Sequence, residues 1–227
     1  MHNEADGAAA LIQEIADACA AIPHEIIAVD DASTDATLSV LQSLKPDVPQ
    51  LRILSHASNA GQSRAVRSGV LAAAAPVIAT LDGDGQNPPG EIPKLYAHLR
   101  DTSVHLVGGE RQKRQDTAAK LLASRIGNGV RKRLLRDTAN DTGCGLKVFE
   151  RDAFLRLPYF DHIHRYLPAL MLREGYRTAF LPVSHRAREH GRSKYTNLGR
   201  LKVSLADLRG VRWLQSRARL PGDVTEH

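Results

Sequence analysis

His24-Glu25-Ile26-Ile27-Ala28-Val29-Asp30-Asp31-Ala32-Ser33-Thr34-Asp35 is the stretch whose reading decides the fold class. Its apolar, β-branched run reads as a buried strand and stops at two carboxylates. Ser33-Thr34-Asp35 then offers a helix cap, and Ala36 to Leu44 carries helical spacing. The same strand–turn–helix grammar recurs on both sides. Residues 8–20 read as a helix, Leu51 to Leu54 as a short strand and Gly61 to Ala74 as a helix. Pro76 to Leu81 reads as a strand stopping at Asp82-Gly83-Asp84, followed by a helix over Glu91–Leu99 and a strand over Val104–Gly108. Such alternation predicts a mainly parallel sheet with helices on both faces. Open sheets of this kind bind ligands beyond the carboxyl ends of their strands, where both acidic clusters fall.

The second half is less regular. Thr117 to Leu135 reads as a basic amphipathic helix, Cys144 to Phe149 as a strand, Leu167 to Glu174 as a helix and Thr178 to Val183 as a strand. A polar stretch, Ser184 to Thr196, leads to a last helix from about Leu198 to Arg217. There is no internal repeat and no long linker, so one domain is expected.

Composition narrows the function classes. In 227 residues, 42% hydrophobic and 25% charged content is that of a folded globular chain and excludes disorder, collagen and coiled coil. The longest apolar run, Gly69 to Leu81, contains Pro76 and is too short to span a bilayer. Met1-His2-Asn3-Glu4 is polar, so no signal peptide is expected. Cys19 and Cys144 form neither a disulfide framework nor a metal spacing, which points to a reducing cytosol.

Charge is divided unevenly. Residues 1–110 carry 6 basic and 14 acidic side chains, whereas residues 111–227 carry 25 and 11. That asymmetry suggests a second half that meets phosphates, nucleic acid or an anionic membrane surface. A nucleic-acid groove would need aromatic side chains for stacking, and the 10 Phe, Trp and Tyr residues do not cluster near the arginines, so nucleic acid is not an expected partner.

Six constellations carry candidate chemistry. Asp30-Asp31 at a strand end can accept hydrogen bonds from a base or ribose, or can serve a helix cap. Asp82-Gly83-Asp84-Gly85-Gln86-Asn87-Pro88-Pro89 sets two hard oxygen donors close together, as a divalent cation bridging a diphosphate requires. Among the basic residues Lys113, Arg114, Arg125 and Arg131-Lys132-Arg133, most read as a solvated helix face. Arg111 is the exception, because it follows a strand and faces the same crevice. Asn140-Asp141-Thr142-Gly143-Cys144-Gly145-Leu146-Lys147 presses backbone against a ligand and offers Asp141 as a base or orienting group. His185 to Tyr195 is a cationic loop able to wrap a diphosphate or to lie solvated, and its histidines have no zinc spacing. In the last helix Leu201, Leu205, Leu208, Val211 and Leu214 share one face, with Trp213 at its border. That pattern suits a membrane interface or packing on the domain.

Together, Asn3-Glu4, Asp30-Asp31, Asp82-Gly83-Asp84 with Gln86, and Ser193-Lys194-Tyr195 give the chain a resemblance to family 2 glycosyltransferases. Within that family it resembles the polyprenyl-phosphate sugar transferases of the dolichol-phosphate mannosyltransferase type. The resemblance implies a GT-A fold over residues 1–197, with a basic amphipathic helix and tail over 198–227. It implies a nucleotide-diphosphate sugar donor, Mg²⁺ or Mn²⁺, and a polyprenyl phosphate acceptor reached by peripheral contact at the cytoplasmic face of the membrane. Glu4, Val29 and Asp31 would surround the base and ribose, with Gly83 beside the nucleotide. Asp82, Asp84 and Gln86 would hold the metal. Arg111, Arg188 and Lys194 would meet phosphates, and Asp141 falls where related inverting enzymes keep a catalytic acid; Asp84, Asp141 and Arg111 form the expected catalytic set. GDP-mannose is the first expected donor, with UDP-glucose, UDP-galacturonate and similar sugars next.

Two departures from the family pattern bear on the fold. The family's opening strand, an apolar run leading to Pro-x-x-Asn-Glu, is represented only by His2-Asn3-Glu4, so a gap in the sheet is expected. Many relatives also carry C-terminal membrane helices that are not seen in this sequence. A polysaccharide acceptor and a truncated, inactive relative are the competing expectations. A nucleotidyltransferase is disfavoured because no Gly-rich basic loop lies near the N-terminus.

Overall fold

A computed structural model describes residues 1–112, 118–186, 197–220, 222 and 225–226. The chain alternates as expected through α1 (Ala5–Ala18), β1 (Ile26–Asp30), α2 (Thr37–Ser43), β2 (Leu51–Ser55), α3 (Gln62–Ala72), β3 (Val77–Thr80), α4 (Ile92–Asp101) and β4 (Leu106–Arg111). It continues with α5 (Ala118–Leu135), β5 (Lys147–Glu150), α6 (Arg151–Leu155), α7 (Leu167–Arg173), β6 (Thr178–Val183) and α8 (Asn197–Ser216).

β1 pairs with β2 in parallel, from Ile26 opposite Leu51 to Asp30 opposite Ser55. A second sheet runs β3-β5-β4-β6. β4 and β6 are parallel, as expected of a mainly parallel sheet, and β5 alone among the described strands runs antiparallel to both its neighbours. The reason lies just before β5. Residues 141–145 stay at the carboxyl ends of β3 and β4, held by Asp141 on Arg111 and by the Gly145 carbonyl accepting from Thr80 Oγ1 at 2.9 Å. β5 therefore starts at that end, with Lys147 opposite both Thr80 and Gly108, and can only run back.

Apolar burial falls into three clusters. One joins α1 and α2 to β1 and β2 through Ala8, Ile12, Ala28 and Leu41; another joins α4 to β4 and β5 through Leu95, Val107, Leu146 and Val148. The third packs α3, α6, α7 and α8 around Phe149, Phe154, Leu170 and Val211. Leu208 and Leu214 pack against this cluster with Val211, so the apolar face of α8 covers the domain, while Leu205 and Trp213 stay exposed. Arg131, expected on a solvated face, is instead buried against Asp137 at 3.3 Å. No described helix is long and apolar enough to cross a membrane.

β1 and β3 do not pair, and the expected gap in the sheet is present. It holds a cavity of about 760 Å³ lined by Ile27 and Val29 on one side and Val77 and Ala79 on the other. Its lining includes Asp31, Asp82 and Asp84 at the carboxyl ends of the strands.

Candidate active site

Three strand ends build the crevice, and each supplies carboxylate or guanidinium. At the end of β1, Asp31 is buried and fully engaged. Its Oδ1 accepts from the Ala60 amide at 2.9 Å and pairs with His56 Nδ1 at 2.7 Å, and its Oδ2 accepts from the Gly61 amide at 2.8 Å. His56 Nε2 in turn meets Ser68 Oγ at 2.9 Å. Gly61 sits at φ +84°, a conformation that favours glycine, so Asp31 fixes the turn that launches α3. Burial alone would raise the Asp31 carboxyl, but the Ala60 and Gly61 amides and His56 outweigh it and hold the group below its ordinary value. Asp31, expected at the ribose, has both oxygens engaged by His56 and by the amides of the 60–61 turn.

That depressed pKa ties folding stability to pH. The Asp31 contribution is present above the ordinary carboxyl range and is lost as pH falls through the lowered folded value. Asp31→Asn strands one or two amide donors and is expected to cost about 2–4 kcal/mol at neutral pH. Urea unfolding at pH 7 and at about pH 2.5, below the ordinary Asp value, checks it: the difference between variant and wild type should shrink on the acid side.

Residues 3–5 are knitted to the turn after β1. The Asn3 amide donates to Ser33 Oγ at 3.0 Å, Asn3 Oδ1 accepts from the Thr34 amide at 2.8 Å, and the Glu4 amide donates to Thr37 Oγ1 at 2.9 Å. Glu4 and Val29, expected around the base and ribose, both line the cavity. Met1 lies closer still: a Cβ on Gly83 would fall 2.6 Å from Met1 Cγ, so the bare face of Gly83 receives that side chain.

At the end of β3, Asp82 Oδ1 accepts from Gln62 Nε2 at 2.6 Å, and Asp84 Oδ1 accepts from the Gln86 amide at 3.2 Å. Burial first, then the neighbouring Asp84 carboxylate, push the Asp82 carboxyl above its ordinary range, against the opposing pull of Lys147 and Arg111. Lys147 is buried and donates to the Cys144 carbonyl. Burial drives its ammonium pKa down, while Cys144 and Asp82 work the other way. Gly145 is pressed so closely on Asp82 that any Cβ there would land inside the carboxylate. Two carboxylates two residues apart, repelling each other in a crevice, form a donor set that a hard divalent cation satisfies, with Gln86 adjoining. Among the described residues no group of three or more His, Cys, Asp or Glu side chains is placed to hold a metal, so a cation here would complete its shell with substrate oxygens and water.

At the end of β4, Arg111 and Asp141 form a two-pronged pair, Nε to Oδ2 at 2.6 Å and Nη2 to Oδ1 at 2.8 Å. Burial would lower the guanidinium pKa, yet the Asp141 pairing more than offsets it and keeps Arg111 protonated. Two residues expected in separate roles are thus one unit, the carboxylate aiming the cation.

The arm after β6 returns to the same place. Ser184 donates through its amide and hydroxyl to Glu91, the Arg186 amide donates to the Gln86 carbonyl at 2.9 Å, and the Arg186 guanidinium grips Glu14 at 2.6 and 2.8 Å. Arg188 and Lys194, expected at phosphates, lie outside the described residues, as do Lys113, Arg114, His190 and the Ser193-Lys194-Tyr195 motif. Gln62, His56 and Lys147 have no role in the sequence-based expectations. A lysine opening an otherwise apolar strand is the available signal for the last, since a buried ammonium requires nearby acceptors or anions.

The chain as a whole is similar to known proteins. The chain is 32% identical over 226 residues to the dodecaprenyl-phosphate galacturonate synthase of Rhizobium johnstonii, covering 97% of this chain and 67% of that protein. It is 33% identical over 199 residues to the undecaprenyl-phosphate 4-deoxy-4-formamido-L-arabinose transferase of Edwardsiella ictaluri, covering 86% and 61%. The chain therefore spans about two thirds of the length of these curated relatives. Among solved structures it superposes on the glucosyl-3-phosphoglycerate synthase of Mycobacterium tuberculosis in complex with Mn²⁺, UDP and phosphoglyceric acid. The TM-score is 0.69 at 19% identity, with 98% of this chain and 78% of that one covered, a likeness that establishes the GT-A fold. The model of the Glycosyl transferase family 2 matches residues 1–157. With that match and these relatives, the chain belongs to glycosyl transferase family 2, in the company of polyprenyl-phosphate sugar transferases.

Proposed function

We propose that the protein is an inverting glycosyltransferase that moves a sugar from a nucleotide-diphosphate donor to a polyprenyl phosphate. The observation that carries this reading is the convergence of Asp82, Asp84 and the Arg111–Asp141 pair at the carboxyl ends of β3 and β4, where the Arg111 and Asp82 charges act on each other. Asp82, Asp84 and Gln86 would hold Mg²⁺ or Mn²⁺, which supplies positive charge against the donor diphosphate. Arg111, kept protonated and aimed by Asp141, adds a fixed cation for the charge that grows on the departing nucleotide. Glu4, Val29 and the turn set by Asp31 wall the nucleotide. The acceptor's phosphate oxygen is already anionic, so its attack on the anomeric carbon needs orientation more than proton removal, and Asp141 serves as the orienting group of Arg111.

The donor reading shifts from the first expectation. The relatives' names point to galacturonate or a formamido-arabinose, and mannose loses its place to UDP-galacturonate and similar sugars. The exposed Trp213 and Leu205 on α8, with Arg209 and Arg212 on the same helix, support peripheral contact with a membrane carrying the lipid.

Labelled sugar is offered from UDP-galacturonate, UDP-glucose and GDP-mannose to polyprenyl phosphate in detergent with Mn²⁺. Lipid-linked product from a UDP-sugar is expected, and EDTA is expected to reduce it at least about 100-fold. Product insensitive to EDTA would remove the metal from the reading, and product from GDP-mannose alone would restore mannose. A second reading, a weakly active relative, is favoured by the gap between β1 and β3; donor binding without turnover would support it.

A further inference from the structure

Gln62 stands beside the crevice and outside the proposed ligand set. It is the first residue of α3, directly after Gly61, and its side chain is exposed. A glutamine there could turn back on the open amides of its own helix. Instead its Nε2 crosses to the end of β3 and donates to Asp82 Oδ1 at 2.6 Å. An ionised carboxylate only accepts, so the NH₂ end of the Gln62 amide is the one that faces Asp82.

The start of α3 is pinned on both sides of Gln62. The Gly61 amide before it donates to Asp31 Oδ2 at 2.8 Å, and the Ser63 hydroxyl after it meets His164 Nδ1 at 2.7 Å. Ser63 is fully buried, and burial pushes the His164 imidazole down to about 3, so that contact joins neutral groups at neutral pH. Gln62 is thereby aimed at the end of β3. Gly145 lies against the same Asp82 carboxylate with no room for a Cβ. With Gln62 on Oδ1, Oδ2 is the Asp82 oxygen that meets no hydrogen-bond donor among the described residues.

We infer that Gln62 is a positioning and specificity-determining residue for the cation, holding Asp82 Oδ1 so that the carboxylate offers Oδ2 alone. A carboxylate bound through both oxygens subtends too narrow an angle for the near-ideal octahedron of Mg²⁺, whereas the larger and more flexible shell of Ca²⁺ accepts it. Mn²⁺ shares the octahedral oxygen preference. An occupied Oδ1 therefore favours the small octahedral cations over Ca²⁺. The donor is neutral, so unlike a lysine or arginine it adds no charge against the incoming ion. The inference rests on the metal reading of Asp82 and Asp84 and adds what sets the selectivity of that site.

Mn²⁺ held on the protein is read by water-proton relaxation, with UDP or GDP present and Ca²⁺ as competitor. The chains compared are wild type, Gln62→Met, Gln62→Lys and Asp84→Ala. Methionine keeps the length and removes the donor, and Mn²⁺ is expected to bind about 10-fold more weakly. The preference for Mn²⁺ over Ca²⁺ is expected to fall by at least about 10-fold. Lysine restores a donor and adds charge, so both cations weaken while the preference stays near that of wild type. Melting temperatures should stay within about 2 °C of wild type, because Gln62 is exposed. Mn²⁺ held by wild type and lost in Asp84→Ala identifies the measured site as this one. With that control in place, an unchanged preference in Gln62→Met overturns the inference and leaves the metal reading standing. Cation binding that falls only in step with lost folded protein does the same. Mn²⁺ held equally by wild type and Asp84→Ala, or by neither, overturns both.

Discussion

Asp84→Ala is expected to lower sugar transfer by about 1,000-fold, equivalent to roughly 4 kcal/mol of transition-state stabilisation, with little change in folding stability. The two halves of that expectation have separate grounds. Asp82 and Asp84 are the two carboxylates of the Asp-x-Asp pair at the β3 end, and without Asp84 a cation bridging a diphosphate there would keep Asp82 of that pair. The fold is expected to lose little, because the bond that Asp84 Oδ1 accepts from the Gln86 amide is a long one at 3.2 Å within a surface turn. Asp82 even gains: the Asp84 charge is the second cause, after burial, of its raised carboxyl pKa, and removing it relieves that repulsion. Initial rates with saturating donor, beside a thermal melt of the same sample, read both quantities. A variant that loses activity only in proportion to lost folded protein would show that Asp84 is structural.

Gly145→Ala is the second large effect, and it reaches the same carboxylate from the opposite strand. The new methyl would coincide with the Asp82 carboxylate, so either Asp82 leaves its place or the start of β5 moves. Overpacking of this kind costs about 1–3 kcal/mol of stability. Displacing Asp82, a proposed metal ligand, is expected to cost at least about 100-fold in rate. Gly143→Ala supplies the contrast. Its Cβ would lie 3.1 Å from Arg111 Nη2, the far end of a side chain that can yield, so a loss of a few fold is expected. Measuring both alanine variants for rate and for Mn²⁺ dependence checks the pair. Equal losses at 143 and 145 would mean that the loop's flexibility, not the Asp82 contact, is what glycine provides.

Much of this architecture is legible in the residues alone, and the reasons differ by element. β6 is expected over Thr178–Val183 and occupies those residues, because its limits are set locally by Gly175 at one end and the polar Ser184 stretch at the other. The acidic strand ends are legible because carboxylates that close an apolar run sit where an open sheet meets its ligand. The direction of β5 is not: nothing in Lys147-Val148-Phe149-Glu150 shows that the preceding loop is held at the carboxyl ends of its neighbours. Asp31 reads as a ligand group because its partners, Ala60 and Gly61, are backbone amides some thirty residues away that carry no side-chain signal. The Arg111–Asp141 pairing is hidden for the same kind of reason. Each residue looks functional, and only the fold shows that one holds the other.

The antiparallel course of β5 has one more consequence. Lys147 is the first residue of that strand, opposite both Thr80 and Gly108, and its side chain occupies the same buried space as Asp82. Side chains alternate faces along a strand, so a slip of β5 by a single residue would carry the ammonium to the far side of the sheet and bring Leu146 or Val148 to the carboxylates. The charge balance of the crevice is in this sense a record of strand registration. A chain that folds one notch out could keep its helices and its bulk spectroscopic signature while losing the cation beside Asp82. Quality of folding would then show in turnover before it shows in secondary structure.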